Sequence, residues 1–405
     1  MNFRTWAMAG GLILAPWFSG CALAEPPRPI ASTGLSQWEA IVPSLEVAFK
    51  PDRSKLGQAL QDQLFRCVRK KVSTLSNFAL EQMQGLSMEC VFEVVVLDAK
   101  GKIRPDANER MMALVEVTGV VMPKPASQGQ ASVTLQPLAG SRVWTIGVNV
   151  ANQNRPFLLD TGASSSIVDN QIAKQLGLKG TPIPDRLMSY MVVGEECSGL
   201  NANLYPLPKL MVESAQVRGL TGLGLARKSI PGNQSGVLGL DFLSNFDLVL
   251  NPQSRQLQLL PPSRPVANGV PLVGKLGIMT TQISINGKGP FNFALDSGAD
   301  VMVLSERLSK RLTLDPKKMK LVQVRGFCGL ENGKQTQLAQ VRMQTHTATR
   351  LDAVVLKSEP LDLLGVDGIV GQNFLNQYRQ HWRFGERDTM GYPARGSLEL
   401  EGLAK

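Results

Sequence analysis

Two stretches of the chain put an aspartate directly before a small hydroxyl residue and a glycine: Phe157-Leu158-Leu159-Asp160-Thr161-Gly162-Ala163-Ser164 and Phe293-Ala294-Leu295-Asp296-Ser297-Gly298-Ala299-Asp300. One Asp-x-Gly is ordinary turn chemistry. Two, each ending an apolar run, point to a duplicated unit that brings two carboxylates together. Carboxylates a few ångströms apart resist double ionisation and share a proton, so one can act as base toward water while the other acts as acid. Their titration then belongs to the pair. This chemistry needs no cofactor and no metal.

The elements that would position Asp160 and Asp296 repeat as well. Before each aspartate lies an alternating strand, a polar turn and an apolar strand, which is hairpin grammar. After each come a short apolar strand (Ile167-Val168; Val303-Leu304) and a helix-like segment (Asn170 to Leu176; Glu306 to Leu312). Closing blocks follow, Gly236-Val237-Leu238-Gly239-Leu240-Asp241-Phe242-Leu243 and Gly368-Ile369-Val370-Gly371-Gln372-Asn373-Phe374-Leu375. The separations Asp160 to Gly239 and Asp296 to Gly371 are 79 and 75 residues. Three blocks in one order at one spacing give two copies of a β-rich unit, 141–262 and 263–405, joined by a short connection around Pro261 to Gly269.

These motifs resemble retropepsin-like aspartic peptidases, the closing block being similar to cellular and transposon-derived members. The resemblance covers residues 141 to 402. It implies a mainly β fold, two pseudo-symmetric retropepsin-like β-barrel lobes in tandem, pairing within one monomeric chain. It implies hydrolysis of a peptide or protein substrate by Asp160 and Asp296. Thr161 and Ser297 would cross-link the lobes beneath the site, Gly162 and Gly298 would let amides approach the carboxylates, and Gly239 and Gly371 would lie beneath the catalytic turns. Each lobe would also lend a flap: Met191 to Gly199, with Gly194, Cys197 and Gly199, and Val322 to Gly329, with Gly326, Cys328 and Gly329. Alanine follows each motif (Ala163, Ala299) where a hydroxyl could lower the carboxyl pKa, so the pair is expected to work at mildly acidic to near-neutral pH. Ser164 and Asp300 read as turn-stabilising, and Asp241 and Asn373 as caps of the helices they begin. A catalytically silent peptide-binding or scaffold module of the cell envelope is the competing reading.

The first residues read as an export signal: Arg4, an apolar stretch from Trp6 to Phe18, and Ala22-Leu23-Ala24 before Glu25. Phe18-Ser19-Gly20-Cys21 also resembles a lipoprotein box, in which case a lipidated Cys21 would provide membrane association. Both cleavage modes stay open, and both place the protein in the periplasm or cell envelope. Besides Cys21 there are four cysteines, and in an oxidising compartment the simplest pairing is Cys67–Cys90 and Cys197–Cys328. The second pair would tether the flaps; the alternative is two loop cysteines that never meet.

Residues 25–122 have no counterpart in the repeats and read as a small α+β accessory domain or pro-domain. It would hold helices over Lys55 to Val72 and Asp106 to Val117 and a buried strand over Cys90 to Leu97, followed by a linker over 123–140. With two histidines lacking metal-ligand spacing, a zinc site or a Ser-His-Asp triad is not expected. Net charge is +10, and the basic cluster from Arg307 to Arg325 reads as a solvated face, with no aromatic interleaving to suggest nucleic acid.

Overall fold

The computed structural model describes residues 6–7, 35–39, 54–76, 80–118, 124–192, 199–388 and 390–403. Helix α1 (Lys55–Val72) begins at Ser54, whose hydroxyl accepts from the Gly57 N–H at 3.0 Å, and ends on Arg69, Lys70 and Lys71, which suit a helix C-terminus. Its buried Val68 and Val72 meet Met83 and Cys90 from the region of α2 (Leu80–Val91), and the Cys67–Cys90 disulfide ties the two helices together. The run Cys90 to Leu97 is not a strand. Helix α2 passes into a π turn over Phe92–Val96, closed by the Leu97 N–H donating to Phe92 O at 2.9 Å. A short apolar run hides its period, and both a strand and a buried helix end satisfy it. Helix α3 (Ala107–Thr118) completes this N-terminal layer.

The stretch 123–140 is sewn into the sheets rather than left free. Ala126–Gln128 pairs with Ala215–Arg218, Ala131–Thr134 with Gln256–Leu260, and Gln136–Pro137 with Trp144–Thr145. Its polar side chains face solvent along sheet edges, so composition alone reads as a linker.

In the first lobe, β1 (Trp144–Val150) and β2 (Gln153–Leu159) form a hairpin whose turn residues, Ala151 and Asn152, both have positive φ, as a tight turn between twisted strands requires. Strand β3 (Ile167–Asp169) follows, then helix α4 (Asp185–Met191) and the closing strand β4 (Gly236–Leu238). Strand β4 runs parallel to β2 and antiparallel to β3, which drives it behind the Asp160-Thr161-Gly162 turn. The lobe leaves through β5 (Asp247–Asn251) and β6 (Gln256–Leu260).

The second lobe opens with β7 (Val270–Lys275) and repeats the plan. Strands β8 (Ile278–Ile285) and β9 (Lys288–Leu295) turn at Asn286-Gly287, and β10 (Met302–Ser305) follows. A long hairpin, β11 (Lys320–Gly326) and β12 (Gly329–Met343), comes next. Then come α5 (Glu359–Leu364) and β13 (Gly368–Val370), parallel to β9 and antiparallel to β10. Strands β14 (Tyr378–Phe384) and β15 (Arg395–Gly402) end the lobe.

One sheet joins the halves in the order β7-β15-β14-β5-β6, with Ala131–Thr134 beyond β6. The seam is β5 against β14, with Leu248 opposite Trp382 and Leu250 opposite Gln380. Phe242, Phe246 and Leu248 from one lobe share a continuous apolar core with Trp382 and Leu398 from the other. This fixes the floor on which the two aspartates meet.

Candidate active site

Asp160 and Asp296 end β2 and β9, and the residues after them lock the lobes together. The Thr161 N–H donates to Ser297 Oγ at 2.9 Å, and the Ser297 N–H donates to Thr161 Oγ1 at 3.0 Å. The two hydroxyls then cross over, Thr161 Oγ1 donating to Leu295 O at 3.0 Å and Ser297 Oγ to Leu159 O at 2.9 Å. All four bonds are buried, where a lost partner costs more than the bond itself contributes.

Each carboxylate is held by its own turn. Gly162 N–H donates to Asp160 Oδ1 at 2.8 Å, and Gly298 N–H to Asp296 Oδ1 at 2.7 Å. A Cβ on Gly162 would stand 2.3 Å from the Asp296 carboxyl carbon, so glycine is required for the second carboxyl to approach. Beneath them, Gly239 and Gly371 let the closing strands touch the turns. A Cβ on either would come within 2.8 Å of backbone at Ala163 and Ser165, or at Ala299 and Val301. The crossing is pinned by Asp160 N–H to Leu238 O and Leu240 N–H to Ala163 O, and likewise by Asp296 N–H to Val370 O and Gln372 N–H to Ala299 O.

The pair is enclosed: Asp160 is 0% and Asp296 1% exposed, and both Oδ2 atoms lack a hydrogen-bond partner. Burial pushes the Asp160 carboxyl well above the usual carboxylate range, and the neighbouring charge of Asp296 pushes it further. Burial also raises Asp296, partly offset by hydrogen bonds from Asp160, Gly298 and Ala299. One proton held between two carboxyls is the arrangement that follows. The upward shift agrees in direction with the expectation drawn from Ala163 and Ala299, but its leading cause is burial.

The family described as "gag-polyprotein putative aspartyl protease" matches twice, over residues 146–245 and 281–377, each match spanning one aspartate and its closing glycine. The chain is a tandem retropepsin-like protein. Among solved structures, a retropepsin-like aspartic protease from Rickettsia conorii is similar at 14% identity, over 34% of this chain and 94% of that one, with a TM-score of 0.24. No curated protein matches the chain.

The segments expected as flaps in this tandem retropepsin-like protein differ from the sequence expectation. In the second lobe the hairpin forms, with Gly326 opposite Gly329 and Phe327-Cys328 at its tip, but the tip is fully buried rather than poised over an open cleft. Apolar tip residues find more to bury against than solvent offers. Cys328 is disulfide-bonded; Cys67 and Cys90 take up each other, so its partner lies outside the described residues. In the first lobe, α4 runs up to Met191, the first residue of the expected flap. Gly194 and Cys197 lie outside the described residues, and Gly199 sits in an exposed turn, donating to Asp185 Oδ2 at 3.3 Å. Cys21 and the signal segment lie outside the described residues as well, apart from Trp6–Ala7.

Asp241 and Asn373 do not stand at the helix N-caps, which Gly239 and Gly371 take, although Asp241 Oδ1 accepts from the first-turn Phe242 N–H at 2.8 Å. Asp241 Oδ1 accepts from Ser166 Oγ at 2.7 Å, and Asn373 Oδ1 accepts from the Met302 N–H at 3.0 Å, so each staples its closing block to the neighbouring strand segment. Asp300 reaches across the lobes to the Arg142 N–H and the Ser141 hydroxyl. Trp144 Nε1 likewise donates to Asn376 Oδ1 at 3.0 Å. On the opposite side, Arg387 donates to Ser244 O at 3.0 Å and Asn245 Oδ1 at 3.1 Å. Sequence reading missed these ties because the partners lie more than a hundred residues apart; the one legible signal was Asp300, unmatched by an acidic residue at Ser164. In the basic cluster, Arg307 and Arg311 both face Asp367, at 3.6 and 3.1 Å. The one close grouping of metal-type donors among the described residues, Cys67, Cys90 and Glu93, contains the disulfide and so offers no thiolate.

Proposed function

We propose that this protein is an aspartic endopeptidase that hydrolyses peptide bonds with water activated between Asp160 and Asp296. The observation that carries this reading is the reciprocal Thr161–Ser297 grip, which holds two buried carboxyls against each other with both displaced toward protonation. In the forward step the ionised carboxylate takes a proton from water as the oxygen attacks the carbonyl carbon. The protonated partner gives its proton to the carbonyl oxygen. Collapse of the tetrahedral diol expels the amine, which takes up the proton first drawn from water, while a diol hydroxyl gives its proton back to the other carboxylate, so that the pair is again singly protonated. An extended peptide would be held by backbone pairing along the cleft, with side chains alternating into pockets.

We further propose that the protein is exported to the periplasm or cell envelope, by either of the cleavage modes open at its N-terminus. A Cys67–Cys90 disulfide suits an oxidising compartment. The second reading, a silent peptide-binding module, draws on the enclosure of the dyad. A peptide-library cleavage assay decides between them, run before and after limited proteolysis of the N-terminal layer, with Asp160→Asn and Asp296→Asn alongside. The catalytic reading expects cleavage by the wild type in at least one state and its loss in both variants. Cleavage surviving in either variant overturns the shared dyad, and none in any state favours the silent module.

A further inference from the structure

We propose that the N-terminal helical layer is an inhibitory lid, seated on both lobes at once and latched to the first by Arg186. The proposal rests on the reading of Asp160 and Asp296 as the working pair, and says what must move before a peptide reaches them.

On the first lobe, the α2 end of the layer lies against α4. Arg186 of α4 pairs with Glu89 and with Glu93, the latter at 3.2 Å, and Lys71 of α1 closes the network at 3.2 and 2.9 Å from the same two carboxylates. Thr181 Oγ1 donates to Gln84 Oε1 at 3.1 Å, and the rings of Phe92 and Tyr190 lie 5.7 Å apart. On the second lobe, Met112 of α3 packs against Met390 and Tyr392. One apolar cluster includes Phe92 and Met111 of the layer, Phe327 at the hairpin tip, and Ala163 and Ala299, which follow the two aspartates near the proposed dyad. The hairpin tip thus shares one buried cluster with the layer, and lifting the tip requires Phe327 to leave it.

The fastening is of a kind that can open. Arg186 is 52% and Glu93 44% exposed, and half-exposed ion pairs hold weakly and yield to salt. The layer is also tethered. Seven residues lie between Thr118 and Ala126, the first residue of the edge strand on the first lobe, eight steps that reach at most roughly 29 Å at full extension. The lid therefore stays covalently joined to the first lobe when it opens.

The test uses the full chain, with hydrogen exchange read at α4, at the hairpin tip and at the two catalytic turns, and peptide cleavage measured in parallel. Arg186→Glu sets three acidic groups together and is expected to raise exchange at the tip and the turns by roughly five- to tenfold. Adding Glu89→Arg restores an opposite-charge pair and is expected to return exchange toward the wild type, which excludes simple unfolding. Exchange at the turns that is unchanged in Arg186→Glu, or raised and not rescued by the swap, overturns the lid. Cleavage rising with exchange supports the catalytic reading as well. Exchange that rises and is rescued while no peptide is cut leaves the lid standing and removes the catalysis beneath it.

Discussion

In the first lobe the chain after β3 and its short helix coils into α4, whereas in the second the matching stretch runs out as the β11–β12 hairpin. Below that level the lobes are near copies: the same hairpin into the aspartate, the same closing strand parallel to it, the same hydroxyl exchanged across the seam. Duplication has been held where both halves must meet one geometry and released where they only cover it. In the first lobe this stretch meets the N-terminal layer through Arg186 and Tyr190, and in the second its tip residue Phe327 is buried in a cluster that also takes in Phe92 and Met111 of that layer.

The sharpest test of equivalence is at the aspartates. Asp160→Asn and Asp296→Asn should each lower turnover by about 10²- to 10⁴-fold, the range for a positioned acid or base, with no loss of melting temperature because each removes a buried charge. Unequal losses would break the symmetry. The grip comes next. Thr161→Val leaves the Ser297 N–H and Leu295 O unsatisfied, and should cost about 2–4 kcal/mol in denaturant unfolding. Ser297→Ala should cost a similar amount, and the double variant less than the sum, since both act on one network.

The closing glycines should separate the lobes. Gly371→Ala meets Val301 O at 2.4 Å, and Gly239→Ala meets the Ser165 carbonyl carbon at 2.7 Å. Each should cost about 1–3 kcal/mol by overpacking, with Gly371 the worse of the two. The smallest effect contrasts Asp241 with its counterpart Asn373. Burial pushes Asp241 up to about 6, so the folded chain binds this proton more tightly than the unfolded one. Its contribution to stability is complete below the unfolded value of about 3.9 and is lost as pH rises through about 6. Asp241→Asn, which makes the first lobe resemble the second, should therefore gain on the wild type above pH 6, and the gap should narrow toward pH 4, as read from melting curves across that range.

What the sequence made legible follows from what is repeated or local. The dyad, the grip residues and the closing glycines stood out because a second copy vouched for each. Helix α1 was readable from its own amphipathic period, and its ends matched. Cys90 to Leu97 was misread because a buried helix end and a buried strand are both simply apolar over eight residues. The strands at 126–137 were missed because edge pairing is made by backbone, which leaves no trace in side-chain type. The burial of Phe327 and the reach of Asp300 depend on which surfaces come together, information that no single segment holds.

The seam of β5 against β14 has a further consequence. Two lobes that were separate molecules would find each other by collision, and their working fraction would fall as they were diluted. Here the strand carrying Leu248 meets the strand carrying Trp382 within a single covalent chain. Specific activity is therefore expected to stay flat as protein concentration falls, and a substitution on one side of the cleft is not copied onto the other. Each half can change its side of the cleft alone, so under the proposed function the two ends of a bound peptide would be read by different rules.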